Sequence, residues 1–354
     1  MKVAIVGAGI AGLSCAYELK KNGIVPTIFD EKAYLHQAVD FNTCTLKLFD
    51  RHISDPMKFL KKEYNLNIHP LNPLKEIVMN SPNKQTIVRG NLGYILNRGE
   101  DKQSLENQIA SNTNLPVIFN KHVDVEDIRK DFDYVVVATG KADTAKQMNI
   151  FTPVFNAFAR ISVISGEFKT DSLKMWVNTE YSKSCFVFQL AHSPQKACLA
   201  IIVNDIIASE LDYYWERFIK IEGISNVIIK TNDVQHELGY INPPKVGNVY
   251  FVGKAGGFID CIFGFGMLSG IESGIFAARS IAKNIKYKKL LKPIIKDLKR
   301  KEEFRKAQNS FDNWGYDRLV QFLGFPGVKQ LIYNNPLAKI SRATFIAKIY
   351  NKFT

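Results

Sequence analysis

The apolar positions of this chain follow two different patterns, and the first of them dominates the N-terminal part. Short β-branched runs occur over 3–6, 26–29 and 134–137. Runs of this kind are typical of strands buried on both faces of a parallel sheet. Between the first two runs, apolar residues at helical spacing predict a helix over 13–20. The order of strand, helix and strand indicates an α/β domain with a Rossmann-like sheet.

The second pattern consists of alternating runs without helical spacing, and it extends over 155–205. It predicts an antiparallel sheet inserted into the α/β body. An amphipathic helix over 206–221 follows, and its aromatic residues are expected to lie in the core. The four predicted strands of this sheet are Ala159–Ile164, Leu173–Val177, Ser184–Leu190 and Cys198–Val203.

The remaining segments are predicted from shorter patterns. Residues 32–50 are expected to form a loop and the start of a helix, and residues 57–64 a helix. Two short strands, 77–79 and 85–89, are predicted around an Asn-rich turn, and residues 93–98 are expected to lead into a helix over 102–110. A strand over 248–253 precedes a long helix over 267–283. Pro293 and later breakers are expected to divide residues 287–354 into short helices.

A GxGxxG turn connects the first predicted strand to the first helix. Gly7 allows a tight turn, Gly9 lets the backbone approach a pyrophosphate, and Gly12 allows the helix to pack closely on the strands. The N–H groups at the helix N-terminus attract the same anion. Asp30 and Glu31 end the second strand, and a carboxylate at this spacing accepts hydrogen bonds from a ribose. The motif predicts a dinucleotide site, and the alternative is a glycine-rich unit that binds no ligand.

A second glycine-rich helix start, far along the chain, separates two classes of dinucleotide-binding protein. Gly253 and Lys254 follow a predicted buried strand, and Gly264 and Gly266 precede the helix over 267–283. A nicotinamide-dependent dehydrogenase needs only the first turn, whereas an FAD protein must also hold the isoalloxazine ring. A helix N-terminus near that ring stabilises the negative charge that develops there on reduction. The second turn therefore favours FAD.

The two turns and the strand over 134–140 resemble, in order, those of flavoproteins with the para-hydroxybenzoate hydroxylase fold. Residues 252–266 are most similar to the geranylgeranyl reductase family, which carries the pattern GDAAGFVxPxxGEGI, and Gly93–Arg98 is similar to that family's glycine-tyrosine-x-x-x-arginine segment. The resemblance implies FAD as cofactor and hydride transfer from reduced FAD to a carbon–carbon double bond of an isoprenoid or other apolar lipid. The cofactor-binding residues indicated by motif and resemblance together are Gly7, Gly9, Ile10, Ala11, Gly12, Asp30, Glu31, Arg98, Thr139, Gly140, Gly253, Lys254, Gly264, Phe265, Gly266 and Met267.

The sequence departs from the family pattern at three positions of the second turn. Lys254 replaces the acid that binds the ribityl chain, Cys261 replaces the proline, and Phe265 replaces the glutamate. A lysine accepts no hydrogen bond, although it can pair with a phosphate as a point charge. These departures leave two alternatives open beside the reductase: a flavin-dependent monooxygenase (hydroxylase) of the same fold, and a degenerate flavin-binding protein without turnover.

No residue is firmly assigned to catalysis. Cys44 lies near the position at which the family has a cysteine beside the flavin, and Cys261 lies in the second turn, so both are candidates; a buried cysteine otherwise serves as a small apolar residue. Gln189 and His192, in the predicted antiparallel sheet, are further candidates for proton donation. The electron donor is expected to be transiently bound NAD(P)H or a ferredoxin, because the chain has no second dinucleotide motif.

The predicted fold class is α/β: a Rossmann-like FAD-binding domain, an inserted antiparallel substrate sheet and a helical C-terminal region. The FAD-binding domain is discontinuous, over 1–150 and 240–285, and includes part of the substrate region near 70–92. The substrate domain covers 151–239, and residues 286–354 are expected to form a helical cap.

Composition argues against several other classes of protein. The five cysteines are scattered without a CxxC pair, and the six histidines show no HxxxH or HxH spacing, so neither a disulfide framework nor a metal site is expected. No apolar run is long enough to cross a bilayer, and a strand and glycine turn stand where a signal peptide would begin. A cytoplasmic location is therefore expected, peripheral to the membrane if the protein associates with one.

The net charge of +13 is concentrated in one stretch of the chain. Twelve Lys or Arg residues and three acids lie between Arg279 and Lys306, a local balance of +9. A basic helical stretch attracts an anionic partner, such as a phosphorylated substrate, an anionic membrane surface or nucleic acid. Nucleic acid is not expected, because no recognition motif accompanies the basic residues. The alternative to any partner is a solvated helix face.

Overall fold

The structure is a computed structural model that describes residues 1–35, 41–47, 53 and 55–329. These residues form two units. Described residues within 1–36, 105–155 and 237–302 make up the first unit, and those within 37–104, 156–236 and 303–354 make up the second. Each unit is organised around its own sheet.

The strands and helices have the following bounds. The strands are β1 (Val3–Val6), β2 (Thr27–Phe29), β3 (Phe41–Leu46), β4 (Asn72–Asn80), β5 (Gln85–Arg98), β6 (Val117–Ile118), β7 (Tyr134–Val137), β8 (Phe151–Ser165), β9 (Ser172–Trp176), β10 (Val187–Ser193), β11 (Lys196–Asn204), β12 (Val227–Ile241), β13 (Lys245–Val246) and β14 (Val249–Phe251). The helices are α1 (Ile10–Lys21), α2 (Pro56–Tyr64), α3 (Leu105–Thr113), α4 (Val125–Ile128), α5 (Asp143–Gln147), α6 (Thr179–Ser182), α7 (Leu211–Glu222), α8 (Met267–Lys283), α9 (Tyr287–Gln308), α10 (Asn313–Gly324) and α11 (Pro326–Lys329), with short 3-10 helices at Ala208–Glu210 and Gly253–Gly256.

A six-stranded sheet in the order β13-β14-β7-β1-β2-β6 forms the centre of the first unit. Its strands pair in parallel except β13, which is antiparallel to β14. Ile5 lies between Ile28 and Val136 in register, and all three side chains are buried. Burial on both faces explains why these strands read as continuous apolar runs. The predicted Rossmann-like domain is confirmed.

An eight-stranded sheet in the order β12-β8-β11-β10-β9-β4-β5-β3 organises the second unit. It contains the antiparallel strands β8 to β11 predicted from the sequence, and β4 joins it by parallel pairing with β9. Helix α7 packs on this sheet through Trp215 and Phe218, and the Phe218 ring meets Trp176 edge-on at 5.6 Å. The prediction of buried aromatic residues is correct for these two and wrong for Tyr213, which is 58% exposed.

The segment over 32–50 contains a strand where the sequence predicted a loop and the start of a helix. Strand β3 pairs antiparallel with the end of β5, and β5 continues to Arg98 instead of ending near residue 89 and leading into a helix. A Cβ at Gly93 would stand 1.8 Å from the Thr45 carbonyl oxygen, so the two strands meet where no side chain fits. This pairing joins two segments that are distant in sequence. The local pattern of apolar and polar residues in either segment therefore does not predict it.

The predicted domain boundaries stay a prediction, to which the strand pairing adds detail. Strands β3 and β4 both pair with β5, and β4 pairs with β9, so these three strands before α3 belong to the second sheet. Residues 286–302 group with the first unit, and the described residues after 302 group with the second. The part of the predicted cap over 330–354 lies outside the described residues.

Helix α9 also corrects a prediction. It runs through Pro293, which was expected to end a short helix. Leu291, Ile294 and Leu298 are buried on one side of the helix, before and after the proline. Their packing holds both halves in place, while Pro293 lies on the exposed side. Among the helices of the described ranges, none has the length and apolar character needed to span a membrane.

Candidate cofactor site

The first glycine turn shows three different uses of a missing side chain. Gly7 has φ +105°, and a Cβ there would lie 2.5 Å from the Ala138 carbonyl oxygen. A Cβ at Gly12 would lie 2.0 Å from the Gly7 carbonyl oxygen, so α1 can approach the turn only with glycine at this position. Gly9 is the opposite case, because a Cβ there would meet no atom within 4 Å. The turn is therefore closed on its inner side and open at Gly9.

The N-terminus of α1 lies at this open side. Gly9 is its N-cap, no side chain caps the helix, and its first turn contains no acidic residue. Asp30, at the end of β2, accepts a hydrogen bond from the Ala8 N–H at 2.7 Å through Oδ2 and one from the Lys32 N–H at 2.9 Å through Oδ1. Its carboxylate thus braces the turn, and each oxygen retains a lone pair for a further donor.

The second glycine turn packs directly against the first within this unit. Gly253 has φ +58°, and a Cβ there would lie 2.8 Å from the Ala11 Cβ. The Gly253 N–H donates to the Ser273 hydroxyl at 2.9 Å, which ties the turn to α8. A Cβ at Gly274 would lie 2.2 Å from the Ala11 carbonyl oxygen, so α8 and α1 touch through their backbones. Two turns remote in sequence therefore converge on one residue.

A buried carboxylate organises the loop that leads into α8. The Asp260 side chain accepts hydrogen bonds from the N–H groups of Ile262, Phe263 and Phe265, each at 2.9 Å. Burial raises the pKa of Asp260, and the Lys301 ammonium and the three N–H donors oppose this rise. Sequence reasoning did not identify Asp260; the available signal was one acid in an otherwise apolar loop, where Asp commonly accepts from its own following backbone.

The predicted residues at the start of α8 lie as expected along the chain. Gly264 has φ +71°, and Gly266 is the N-cap of α8 without a side-chain cap. A Cβ at Gly266 would lie 3.1 Å from the Ile259 side chain, so the loop folds back closely here. Phe265 and Met267 are half-buried on either side of Gly266. Their contact with a flavin stays a prediction.

Lys254 is half-buried beside the second turn. Burial lowers the pKa of its ammonium, and the negative charge of Glu237 opposes that shift. Glu237 also accepts a 2.6 Å salt bridge from Lys146. Lys254 therefore brings a positive charge to a position where the related family has a negative one.

Thr139 and Gly140 follow β7 at the carboxyl edge of the first sheet. Gly140 has φ +72°, and a Cβ there would meet no atom within 4 Å, so this turn is open as Gly9 is. The Lys141 ammonium donates a hydrogen bond to the Glu31 carboxylate at 2.7 Å, and this contact lowers the pKa of Glu31. Asp30 is thus the acid at this edge that is bound to the glycine turn, while Glu31 is bound to surface cations.

The remaining candidates are divided between the units. Arg98 and Cys44 belong to the second unit, where the Arg98 guanidinium lies 5.3 Å from the centre of the Phe41 ring and Cys44 is buried in β3. Cys261 is buried in the first unit. All five cysteines lie among the described residues, and none forms a disulfide. Gln189 and His192 are half-buried in β10, and their role as proton donors stays a prediction.

These features fit an extended dinucleotide. The open side of Gly9 and the uncapped N-terminus of α1 suit a pyrophosphate, and the spare lone pairs of Asp30 suit a ribose. The uncapped N-terminus of α8, held beside α1 by Gly253 and Gly274, suits the electron-rich edge of an isoalloxazine ring. In the chain portions that the structure describes, no group of three His, Cys, Asp or Glu residues is arranged to hold a metal ion.

Comparison with known proteins finds one matching family and several solved structures with a similar fold. Residues 1–159 match the pyridine nucleotide-disulphide oxidoreductase family. The fold is similar to that of a geranylgeranyl bacteriochlorophyll reductase-like protein from Thermoplasma acidophilum, with a TM-score of 0.70, 14% identity, and 97% of this chain and 98% of that chain covered. A flavoprotein/dehydrogenase from Cytophaga hutchinsonii is similar with a TM-score of 0.66 and 13% identity, and 99% of each chain is covered. The flavin-dependent halogenase CmlS is similar with a TM-score of 0.66 and 14% identity, and 98% of this chain and 77% of that chain are covered.

No curated protein sequence matches the chain. Identities of 13–14% establish a shared fold and not a shared reaction. The chain therefore shares its fold with a geranylgeranyl bacteriochlorophyll reductase-like protein and with a flavoprotein/dehydrogenase, and its residues 1–159 match the pyridine nucleotide-disulphide oxidoreductase family.

Proposed function

We propose that this protein is an FAD-dependent oxidoreductase that reduces carbon–carbon double bonds of an isoprenoid or another apolar lipid. The observation that carries the proposal is the direct packing of the two glycine turns, Gly253 against Ala11, within one unit. The reductase is preferred because nearly the whole of both chains aligns with the geranylgeranyl reductase-like structure. When bound, FAD would supply the hydride.

The residues of the first unit have separate tasks in holding the cofactor. Gly9 and the first N–H groups of α1 bind the pyrophosphate, and Asp30 accepts from the ribose while it keeps the turn closed. The N-terminus of α8 stabilises negative charge on the pyrimidine edge of the ring. Asp260 fixes the loop from which α8 starts, so its proposed role is to position this N-terminus.

Lys254 gives this site a charge balance of its own. The proposed role of its ammonium is to pair with a phosphate of FAD, since a lysine accepts no hydrogen bond from the ribityl hydroxyls. The burial that lowers its pKa makes such a pairing favourable, because an anion restores the stability of the charged form. Lys254→Asp is the variant that tests this exchange of charge.

The first experiment is to purify the protein and record its flavin spectrum, with the cofactor identified after release. An anaerobic reaction with an unsaturated isoprenoid lipid then follows, with dithionite, NAD(P)H or reduced ferredoxin as alternative electron donors. The proposal predicts bound FAD, its reoxidation on addition of the lipid, and a product that has gained two hydrogens per reduced bond. A flavin that is reoxidised only by oxygen would contradict it.

A flavin-dependent monooxygenase (hydroxylase) of the same fold is the second candidate, favoured by the fold similarity to CmlS, a flavin-dependent halogenase. Oxygen separates the two functions, since a reductase turns over without it. A binding protein without turnover is the third candidate, motivated by Lys254 in place of the family's acid. Protein that binds FAD without turnover, or that stays colourless after incubation with FAD both as wild type and as Lys254→Asp, would favour this third candidate.

A further inference from the structure

One exposed stripe of helix α9 and the turn before it is almost entirely cationic. On the opposite side of the helix, Leu291, Ile294 and Leu298 are buried. Within α9 the exposed basic positions recur at a spacing of three to four residues, which places them on a single face. We call these residues, together with Lys283 at the end of α8 and Lys286 in the turn before α9, the cationic stripe. Its members are Lys283, Lys286, Lys288, Lys289, Lys292, Lys296, Lys299 and Arg300.

The acids of the same stretch are engaged elsewhere. Asp297 pairs with the buried Lys301 at 2.9 Å, Glu303 pairs with Lys306 at 3.0 Å, and Glu302 accepts a hydrogen bond from Tyr240. Among residues placed by the structure, no carboxylate pairs with any member of the cationic stripe. The stripe therefore presents eight charges to solvent without internal compensation, although all belong to one short segment.

We infer that the cationic stripe binds the surface of a membrane that contains anionic phospholipids. From Lys288 to Arg300 the helix extends about 18 Å, which is wider than one phosphate group and suits a surface with many charges. Seven of the eight residues are lysines, which act as point charges and lack the planar fork with which arginine binds a single phosphate. Clusters of this size on one helix face are typical of attraction to acidic lipids.

The same chemistry argues against nucleic acid as the partner. Recognition of nucleic acid commonly adds arginine and aromatic side chains that stack on or hydrogen-bond to bases. The cationic stripe has one arginine, and none of the exposed residues of α9 is aromatic. Binding to the membrane does not require the proposed reaction, so the two are tested separately.

The test uses the full-length protein and vesicle co-sedimentation. Wild-type protein is expected to bind phosphatidylcholine vesicles that contain phosphatidylserine and not vesicles of phosphatidylcholine alone. Binding should weaken steeply as salt is raised from about 0.05 M to about 0.5 M, because screening shortens the reach of exposed charges. The variant K292Q/K296Q/K299Q should bind the acidic vesicles at least about tenfold more weakly, since each lost charge removes part of the attraction.

The matched control is K102Q/K121Q/K230Q, which removes three exposed lysines outside the stripe and changes the net charge equally. Equal binding by the two triple variants would overturn the inference, as would salt-insensitive binding or tighter binding to duplex DNA than to acidic vesicles. Circular dichroism checks that both variants fold. If the stripe variant does not fold, hydrogen exchange of wild-type protein decides: vesicles should slow exchange in α9, and unchanged exchange there would overturn the inference.

Discussion

Replacement of Asp260 by asparagine tests the loop that sets the start of α8. The carboxylate accepts three backbone N–H groups at 2.9 Å, two through Oδ1 and one, from Phe265, through Oδ2. Asparagine retains one acceptor oxygen for Ile262 and Phe263, and its amide NH₂ would then face the Phe265 N–H. A buried donor left without an acceptor costs about 1–3 kcal/mol.

Removal of a buried charge offsets part of this cost, because burial disfavours the ionised carboxyl group and raises its pKa. The net expectation for Asp260→Asn is a loss of about 2 kcal/mol in unfolding free energy. FAD affinity should fall as well, since the loop no longer fixes the N-terminus of α8. Both quantities are measured directly, by urea denaturation of the protein without FAD and by flavin fluorescence titration.

Asp124→Asn is the matched control. Asp124 is exposed in the same unit and caps α4 by accepting the Glu126 N–H at 2.7 Å, a bond that asparagine can also accept. Its variant should unfold within about 0.5 kcal/mol of wild type. An Asp260→Asn protein with the stability and FAD affinity of the control would refute the structural role assigned to Asp260.

Three further predictions have defined outcomes. Gly12→Ala should lower the free energy of unfolding, measured by urea denaturation, by about 1–3 kcal/mol, because its Cβ would stand 2.0 Å from the Gly7 carbonyl oxygen. Gly9→Ala should lower it far less, because a Cβ there has open space. Equal losses of unfolding free energy in the two variants would contradict this packing. Lys254→Met should stabilise the FAD-free protein at pH 7, because burial lowers the pKa of Lys254. The stability of the wild type should rise as pH rises from the folded-state pKa of Lys254 toward its ordinary pKa, and the variant should lack that rise. A variant less stable than wild type at pH 7 would oppose this assignment. Burial raises the pKa of Asp317, but hydrogen bonds from Ser81 and Asn83 outweigh it and lower the pKa, so the stabilising contribution of Asp317 is present above its ordinary pKa and is lost as pH falls through its folded-state pKa. Asp317→Asn should therefore lose less stability than wild type as the pH is lowered. An equal loss of stability at acid pH in both proteins would exclude this contribution.

The parts of the fold that the sequence predicted are those with strong local patterns. The first strand, the glycine turn and α1 follow each other within the first 21 residues, and α8 begins directly after its predicted glycine residues. In both places the physical constraint lies in neighbouring residues: a buried strand, a turn without a Cβ and a helix N-terminus. The cofactor fit could therefore be proposed from sequence.

The parts that the sequence did not predict depend on contacts between distant segments. Strand β3 exists because it pairs with β5, and the extension of β5 through Gly93 needs the close approach of Thr45. Helix α9 continues through Pro293 because Leu291 and Ile294 are buried on its other side. Asp260 gains its role from burial, which a single acid in a loop does not reveal. Packing across the chain decided each of these cases.

The most direct test of FAD binding at the glycine turns is a flavin titration of Gly9→Asp. Gly9 caps α1 in an extended conformation, and a side chain there has open space, so aspartate should cap the helix and make the FAD-free protein at least as stable as wild type. Its carboxylate would occupy and repel the pyrophosphate position, so the account predicts FAD affinity at least about a hundredfold weaker. A folded Gly9→Asp protein that binds FAD as tightly as wild type would contradict it.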